Sequence, residues 1–588
     1  GRLEFVLTKK SEFVILDKKR NINGELSVSD SKLLDEGLKY FLKRFWGFPS
    51  FREGQIKVIK KALNKTNSIA ILPTGTGKSL CFQLASFLTE GTTLVISPLK
   101  SLMNDQIYNL KAKGFDHGGY IETIHSGISK SKKEQVLNRF ANGFYKILYI
   151  SPERFRMQNF IKELKACMEK TKINYLVIDE AHCVSEWGHD FRPSYLQLRQ
   201  KNRMIGDPTI MALTATASER VKEDICSILE IDEENIVKNK TLSRPELSNE
   251  VFIAPRIIDK KEILFSLLNI DNNELKNNVN EDVTPIYDII GYKDNEILLR
   301  NNAGIVFTIY GGMYNKSGKK KKSHPVTAEY VSELLNNRNL NSKYYYSKID
   351  DKFKNITQEQ YKKNKFPILC STKGFGMGID KANIDFIIHY NAPGSLEGLY
   401  QEAGRAGRDG QHAHTVLIYT PIYDNAPNCK KYIENHQGEP KCVELWKCPY
   451  TGFQLCDYGR QAKFISSNNH SKDEVLKRYL SIYKFLKNKA KDGKVICNVP
   501  QWDKKKGNVA EWFERSLYYL LKYQLVNNYN VMEYIKDKGE WKIKFNIEIS
   551  SNFTNKNIKS IANKISKKYE NIKRRRYWML QALHYYAM

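Results

Sequence analysis

The chain has 588 residues, a formal net charge of +29 and 41% hydrophobic residues, a share that suits packed cores rather than disorder. It has no run of about 18 apolar residues, which excludes an ordinary membrane-spanning helix. Six of the ten cysteines (Cys81, Cys167, Cys183, Cys226, Cys370, Cys497) are scattered singly, which excludes a disulfide-framed secreted fold. The expected setting is intracellular, the cytoplasm in a bacterium or the nucleus in a eukaryote, with no membrane partner. At this length three or more domains are expected.

After an N-terminal extension (1–35), short apolar runs such as SIAILP, TTLVISP, KILYISP, YLVIDE and TIMALTAT alternate with helical patterns from 36 to 243. Strands that short and apolar, separated by helices, predict a parallel sheet buried on both faces. The first run leads into LPTGTGKS. Thr74, Gly75, Thr76 and Gly77 form a loop whose backbone N–H groups can close around phosphates. Lys78 can reach the outer phosphates, and the Ser79 hydroxyl can ligate Mg²⁺.

About a hundred residues on, YLVIDEAH is an apolar strand ending in carboxylates. Asp179 stands where a metal-holding acid belongs, and Glu180 can orient or deprotonate an attacking water. The pairing predicts hydrolysis of a nucleoside triphosphate with Mg²⁺. The segment continues as CVSEWGHDFRPSY, in which Gly188, Asp190 and Pro193 break any strand or helix period and predict a loop.

A second alternating series, GIVFTIY, FPILCST and FIIHYNAP, predicts a second α/β lobe over 244–425, with insertions near 268–300 and 311–325. In YQEAGRAGRDG, residues Gln401, Arg405 and Arg408 are spaced four and three apart and share one face if the segment is helical. Arginine's fixed charge and planar fork suit a transferring phosphoryl group. Four cysteines then cluster: Cys429, Cys442, Cys448 and Cys456, with His436 able to replace one ligand. The expectation for 426–465 is a zinc-binding subdomain; buried or unpaired thiols are the alternative.

Residues 466–550 read as helices followed by a hairpin around DKGE, the pattern of a winged helix. A basic helical tail covers 551–588. From 460 onward 28 lysines and arginines face 11 acids, so this end carries much of the positive charge and invites a polyanion.

In order, FPSFREGQ, LPTGTGKS, SPLKSLMNDQ, SPERF, DEAHCVSEWGHDFRPSY, ALTATAS, STKGFGMGIDKANIDFIIHYNAP and YQEAGRAGRDG resemble the motif series of the RecQ family of superfamily 2 DNA helicases, over roughly 36 to 425. The resemblance implies two tandem RecA-like lobes and an ATP-dependent helicase that moves 3′ to 5′ on single-stranded DNA, unwinds duplex DNA and serves repair or recombination. It implies adenine recognition by Phe48, Arg52 and Gln55. Thr214 and Thr216 would link hydrolysis to strand movement. Asp380, Gln401, Arg405 and Arg408 would sense nucleotide from the second lobe, with Arg408 as the arginine finger.

In this light Trp187 and Phe191 can stack on unpaired bases, and His189 and Arg192 can report occupancy to the ATP site. The plainer alternative makes Trp187 and Tyr195 core aromatics. An ATP-driven translocase or remodeller that separates no strands is the competing function. Two features depart from the family: the cysteines contain no CxxC pair, and the region around GIVFTIY is longer than usual. Protein partners are not specified by the sequence.

Overall fold

The computed structural model describes residues 28–115, 118–125, 128–169, 171–187, 191–239, 244–268, 303–312, 326–373, 381, 383–421, 456–467, 472–499, 509–537 and 540–588. The chain divides into two compact units. The first joins Gly1–Leu242 with Ser471–Lys567, and the second joins Ser243–His470 with Lys568–Met588.

In the first unit seven strands form one parallel sheet: β1 (Ser68–Ile71), β2 (Thr92–Ile96), β3 (Ile121–Ile124), β4 (Ile147–Ile150), β5 (Ile173–Ile178), β6 (Thr209–Thr214) and β7 (Ile236–Lys238). Their order is β3-β4-β2-β5-β6-β1-β7. Residues of β1, β2, β4 and β6 are buried throughout, as continuous apolar runs require when helices cover both faces. One core cluster gathers Ile69, Leu94, Leu148, Leu176 and Ile210; the other gathers Ala70, Val95, Ile147, Val177 and Met211. Neighbouring strand residues alternate between the two clusters, so the sheet separates two cores.

The register fixes the site. Ile71 pairs with Thr214 and Ile178 with Ala212, so β6 lies between β1 and β5 and brings its end between theirs.

Segment 471–567 adds a three-stranded antiparallel sheet, β14 (Lys494–Asn498), β15 (Val526–Asp537) and β16 (Glu540–Ile549), in the order β14-β16-β15. The hairpin expected around DKGE is present as β15 and β16, with Asp537 paired to Glu540. The helices Lys472–Lys489 and Val509–Lys522 accompany it.

The second unit is built on six parallel strands: β8 (Leu247–Ile253), β9 (Ala303–Phe307), β10 (Ser342–Tyr345), β11 (Ile368–Ser371), β12 (Ile384–His389) and β13 (Ala413–Tyr419), ordered β10-β11-β9-β12-β13-β8. Two parallel α/β units in tandem match the expected architecture. The second unit also contains a fully buried ion pair. Lys260 Nζ lies 2.6 Å from Asp457 Oδ2 and donates to the Tyr390 and Ile418 carbonyls, while Asp457 accepts from the Thr420 amide at 2.8 Å. The helix Asp457–Ser467 is thereby anchored to the sheet. The helix Asn555–Ala587 delivers Leu583 and Ala587 to a cluster with Leu417 and Tyr419, and the Tyr419 hydroxyl meets His584 Nδ1 at 2.7 Å.

Both insertions lie outside the described residues, except for the ends of the first (268) and second (311–312). Cys429, Cys442 and Cys448 also lie outside them, as do His189 and Asp380. Cys456 is described: it is buried, and its sulfur accepts from the Gly459 amide at 3.3 Å.

Candidate active site

The loop after β1 turns sharply into the helix Lys78–Leu88. Gly75 and Gly77 both have φ of +75°, a region that side-chain-bearing residues rarely adopt, and a Cβ on Gly77 would press on Gln55 Nε2 at 3.0 Å. Gln55 is buried and donates to the Thr76 carbonyl at 2.6 Å and the Gly77 carbonyl at 3.2 Å. Its own oxygen accepts from the Arg52 amide at 2.8 Å, and Arg52 donates to the Gly75 carbonyl. The FREGQ element therefore braces the phosphate loop from behind, a task its sequence did not announce. Phe48 stands 48% exposed, with Lys113 Nζ 5.7 Å from its ring centroid.

Lys78 Nζ folds back to the carbonyls of Leu72 and Pro73 at 3.1 and 3.2 Å, within the loop. The Ser79 hydroxyl accepts from Gln106 at 2.9 Å, and Gln106 in turn accepts from Gln83 at 3.1 Å, so this pair of amides orients the hydroxyl.

Asp179 follows β5, with its amide bonded to the Ile96 carbonyl at 2.9 Å. Burial and the adjacent Glu180 push its carboxyl up to about 7, with Lys78 pulling in the other direction. A carboxylate held so reluctantly in its charged form favours a cation beside it. A serine hydroxyl and a carboxylate are the hard oxygen donors that Mg²⁺ takes, so these residues fit that ion.

Glu180 sits at φ +50°, turning the chain so that its side chain meets His182 Nδ1 at 3.3 Å. That nitrogen also lies 3.0 Å from Thr214 Oγ1, whose own proton goes to the Thr216 carbonyl at 3.0 Å. Thr214 therefore accepts, and Nδ1 carries the hydrogen. Burial works against a charged His182, but the neighbouring Cys183 and Glu180 outweigh it and raise its pKa. His182 was read only as part of DEAH; its link to the β6 end appears once β6 is seen to lie beside β5.

The aromatic segment is partly a loop and partly core. Tyr195 is fully buried and donates to the Asp179 carbonyl at 3.1 Å. Trp187 packs partly on the core with Arg220 5.1 Å from its ring centroid. Arg192 donates to the Pro98 carbonyl at 2.9 Å, and Phe191 is half-buried.

In the second unit the expectation of one helical face for Gln401, Arg405 and Arg408 is corrected. The helix Leu396–Ala403 carries Gln401 and stops there. Gly407 takes φ +61° and bonds its amide to the Ile384 carbonyl at 3.1 Å, pulling the chain toward β12. Arg405 and Arg408 thus lie on a loop. Arg244, which no motif flagged, holds that loop: its guanidinium donates to the carbonyls of Gly404, Ala406 and Gly407 at 3.3, 3.0 and 3.2 Å.

A phosphate loop and a DEAH element at the ends of β1 and β5, the two parallel strands that flank β6, define a nucleotide-hydrolysing helicase motor. Residues 52–225 match the DEAD/DEAH box helicase family and 317–410 the helicase conserved C-terminal domain. The Bacillus subtilis protein named "Probable ATP-dependent DNA helicase RecS" is 32% identical over 385 residues, which cover 65% of this chain and 67% of that protein. The ATP-dependent DNA helicase RecQ of the same species is 35% identical over 65% of this chain and 56% of its own length. The Saccharomyces cerevisiae ATP-dependent helicase SGS1 is 32% identical over 68% and 25%. The chain belongs to the RecQ family of ATP-dependent DNA helicases. It spans two thirds of RecS and little more than half of RecQ.

Proposed function

We propose that the chain binds ATP with Mg²⁺, hydrolyses it on contact with DNA, and uses the cycle to move along a single strand, 3′ to 5′, and part a duplex ahead of it. The observation that carries this reading is the path Glu180–His182–Thr214–Thr216, an ion-pair contact at 3.3 Å followed by two hydrogen bonds, which joins the water-activating carboxylate to the end of a neighbouring strand.

Phe48, Arg52 and Gln55 would select adenine. The loop amides of residues 75–79 and Lys78 would hold the phosphates, with Ser79 and Asp179 as the ligands of Mg²⁺, which supplies charge neutralisation at the transferring phosphoryl group. Glu180 would take the proton of the attacking water. Asp380, Gln401, Arg405 and Arg408 would respond to the γ-phosphate, Arg408 as the finger. Trp187, His189, Phe191 and Arg192 would sense the strand.

We further read 471–567 as a winged helix, supported by its two helices and its antiparallel sheet, and the cysteine cluster as a zinc site to be tested by metal analysis. A role in DNA repair or recombination is consistent with the family.

The test is strand release from tailed and blunt duplexes by wild type, Lys78→Ala and Glu180→Gln. Wild type is expected to release the tailed strand. Both variants should lose about 10²-fold or more of ATP turnover. Turnover without release would leave a translocase and overturn the helicase reading.

A further inference from the structure

The strand-sensing segment and the residues after it are gripped at both ends by segment 471–567, within the first unit. At the near end, Glu186 is only 6% exposed. Tyr519 donates its hydroxyl to one carboxylate oxygen, and Arg515 Nε lies 3.5 Å from the other. The same Arg515 guanidinium sits 4.6 Å from the centroid of the Phe191 ring. At the far end, Gln197 donates to the Tyr529 carbonyl at 2.9 Å, and Lys201 Nζ meets Asn530 Oδ1 at 2.7 Å. In addition Arg156 pairs with Glu514, their side chains 6% and 2% exposed. A buried ion pair flanked by buried hydrogen bonds is the make-up of a lasting interface, not of a passing surface contact.

A phenylalanine on a loop has rotamer freedom that must be given up when a base stacks on it, and fixing it beforehand favours binding. Arg515 is placed for this: its guanidinium lies over the Phe191 ring, and its Nε is in ion-pair contact with Glu186 at 3.5 Å.

We propose that Arg515 and Tyr519 are positioning residues for DNA-stimulated ATP hydrolysis, acting through Glu186 and Phe191 to set the ring before a strand arrives. This inference rests on reading Phe191 as a strand sensor.

The experiment measures ATP turnover against single-stranded oligothymidylate for wild type, Phe191→Ala, Arg515→Ala, Arg515→Lys, Tyr519→Phe and the double variant Phe191→Ala/Arg515→Ala. Arg515→Ala is expected to raise the oligonucleotide concentration at half-maximal stimulation about 2- to 30-fold, the range of a cation–π contact. Its DNA-free turnover, KM for ATP and melting temperature are expected to stay at wild-type values, which a general loss of structure would not permit. Arg515→Lys keeps the charge near Glu186 but not the planar face, and falls between the two. Tyr519→Phe shifts in the same direction, and the double variant is no worse than Phe191→Ala alone. Half-saturation unchanged or lowered in both Arg515→Ala and Arg515→Lys would overturn the proposal. If Phe191→Ala itself leaves stimulation intact, the strand-sensor reading fails; if Phe191→Ala loses it while the Arg515 variants are silent, only the positioning role fails.

Discussion

His182 Nδ1 donates across 3.0 Å to Thr214 Oγ1, joining the turn after β5 to the last residue of β6. The threonine hydroxyl both accepts and donates, since it passes its own hydrogen to the Thr216 carbonyl at 3.0 Å. Replacing Thr214 by valine keeps its shape and removes both bonds.

For Thr214→Val the expected result is a fall in the ratio of DNA-stimulated to DNA-free ATP turnover. Coupling energies between sites correspond to about 5- to 150-fold, and the fall should lie in that range. A steady-state ATPase assay with and without oligonucleotide reads it, and an unchanged ratio would remove this path from the mechanism.

Arg244→Ala frees three carbonyls of the loop that carries Arg405 and Arg408. On the proposed role of Arg405 and Arg408, a displacement of about 1 Å costs up to about 10²-fold, so kcat should fall by that order while KM for ATP changes little. Lysine at this position should restore little, because one ammonium cannot span three carbonyls as a guanidinium fork does.

Lys201 has a pH signature. Burial brings its pKa from 10.5 down to about 8, and its side chain is inaccessible to solvent. Below pH 8 it is protonated in both folded and unfolded chains. Between pH 8 and 10.5 the unfolded chain binds the extra proton, so stability rises with pH across that window and levels off above it. Denaturant unfolding of wild type minus Lys201→Met, followed by pH, should therefore climb by up to about 3 kcal/mol from pH 8 to 10.5. A flat difference would show that the ammonium is well solvated.

Asp457→Ala strips the partner from the fully buried Lys260 and leaves the Thr420 amide without its carboxylate. Breaking such a pair costs about 3–5 kcal/mol. The melting transition should drop by several degrees, with earlier proteolytic release around residue 457; an unshifted transition would mean that the three carbonyl and carboxylate contacts are replaceable by water.

What the sequence disclosed follows from the kind of physics involved. LPTGTGKS and DEAH declare themselves because backbone φ, phosphate geometry and metal chemistry restrict residue choice locally, and the buried parallel strands show as unbroken apolar runs. The shared face expected of Gln401, Arg405 and Arg408 if the segment were helical does not form, since the helix ends at Ala403 with Gly404 as its cap and Gly407 turns the chain at positive φ. Arg244 and the Gln55 brace left no signal: a glutamine that bonds to carbonyls 21 and 22 residues away, or an arginine that bonds to ones 160 to 163 residues away, has no local pattern. Tyr195 was open to two readings, and only its depth in the core decides it.

The discontinuity of the first unit has a consequence for synthesis. Its first segment ends at Leu242, yet Arg156, Glu186, Gln197 and Lys201 each take a partner from residues 514–530. A nascent chain leaving the ribosome must therefore carry one half-finished interface, with a buried-to-be arginine and lysine still in water, through the making of the whole second unit. The first unit can complete these contacts only after residues 514–530 are made, and a chain stopped before residue 471 would lack them all.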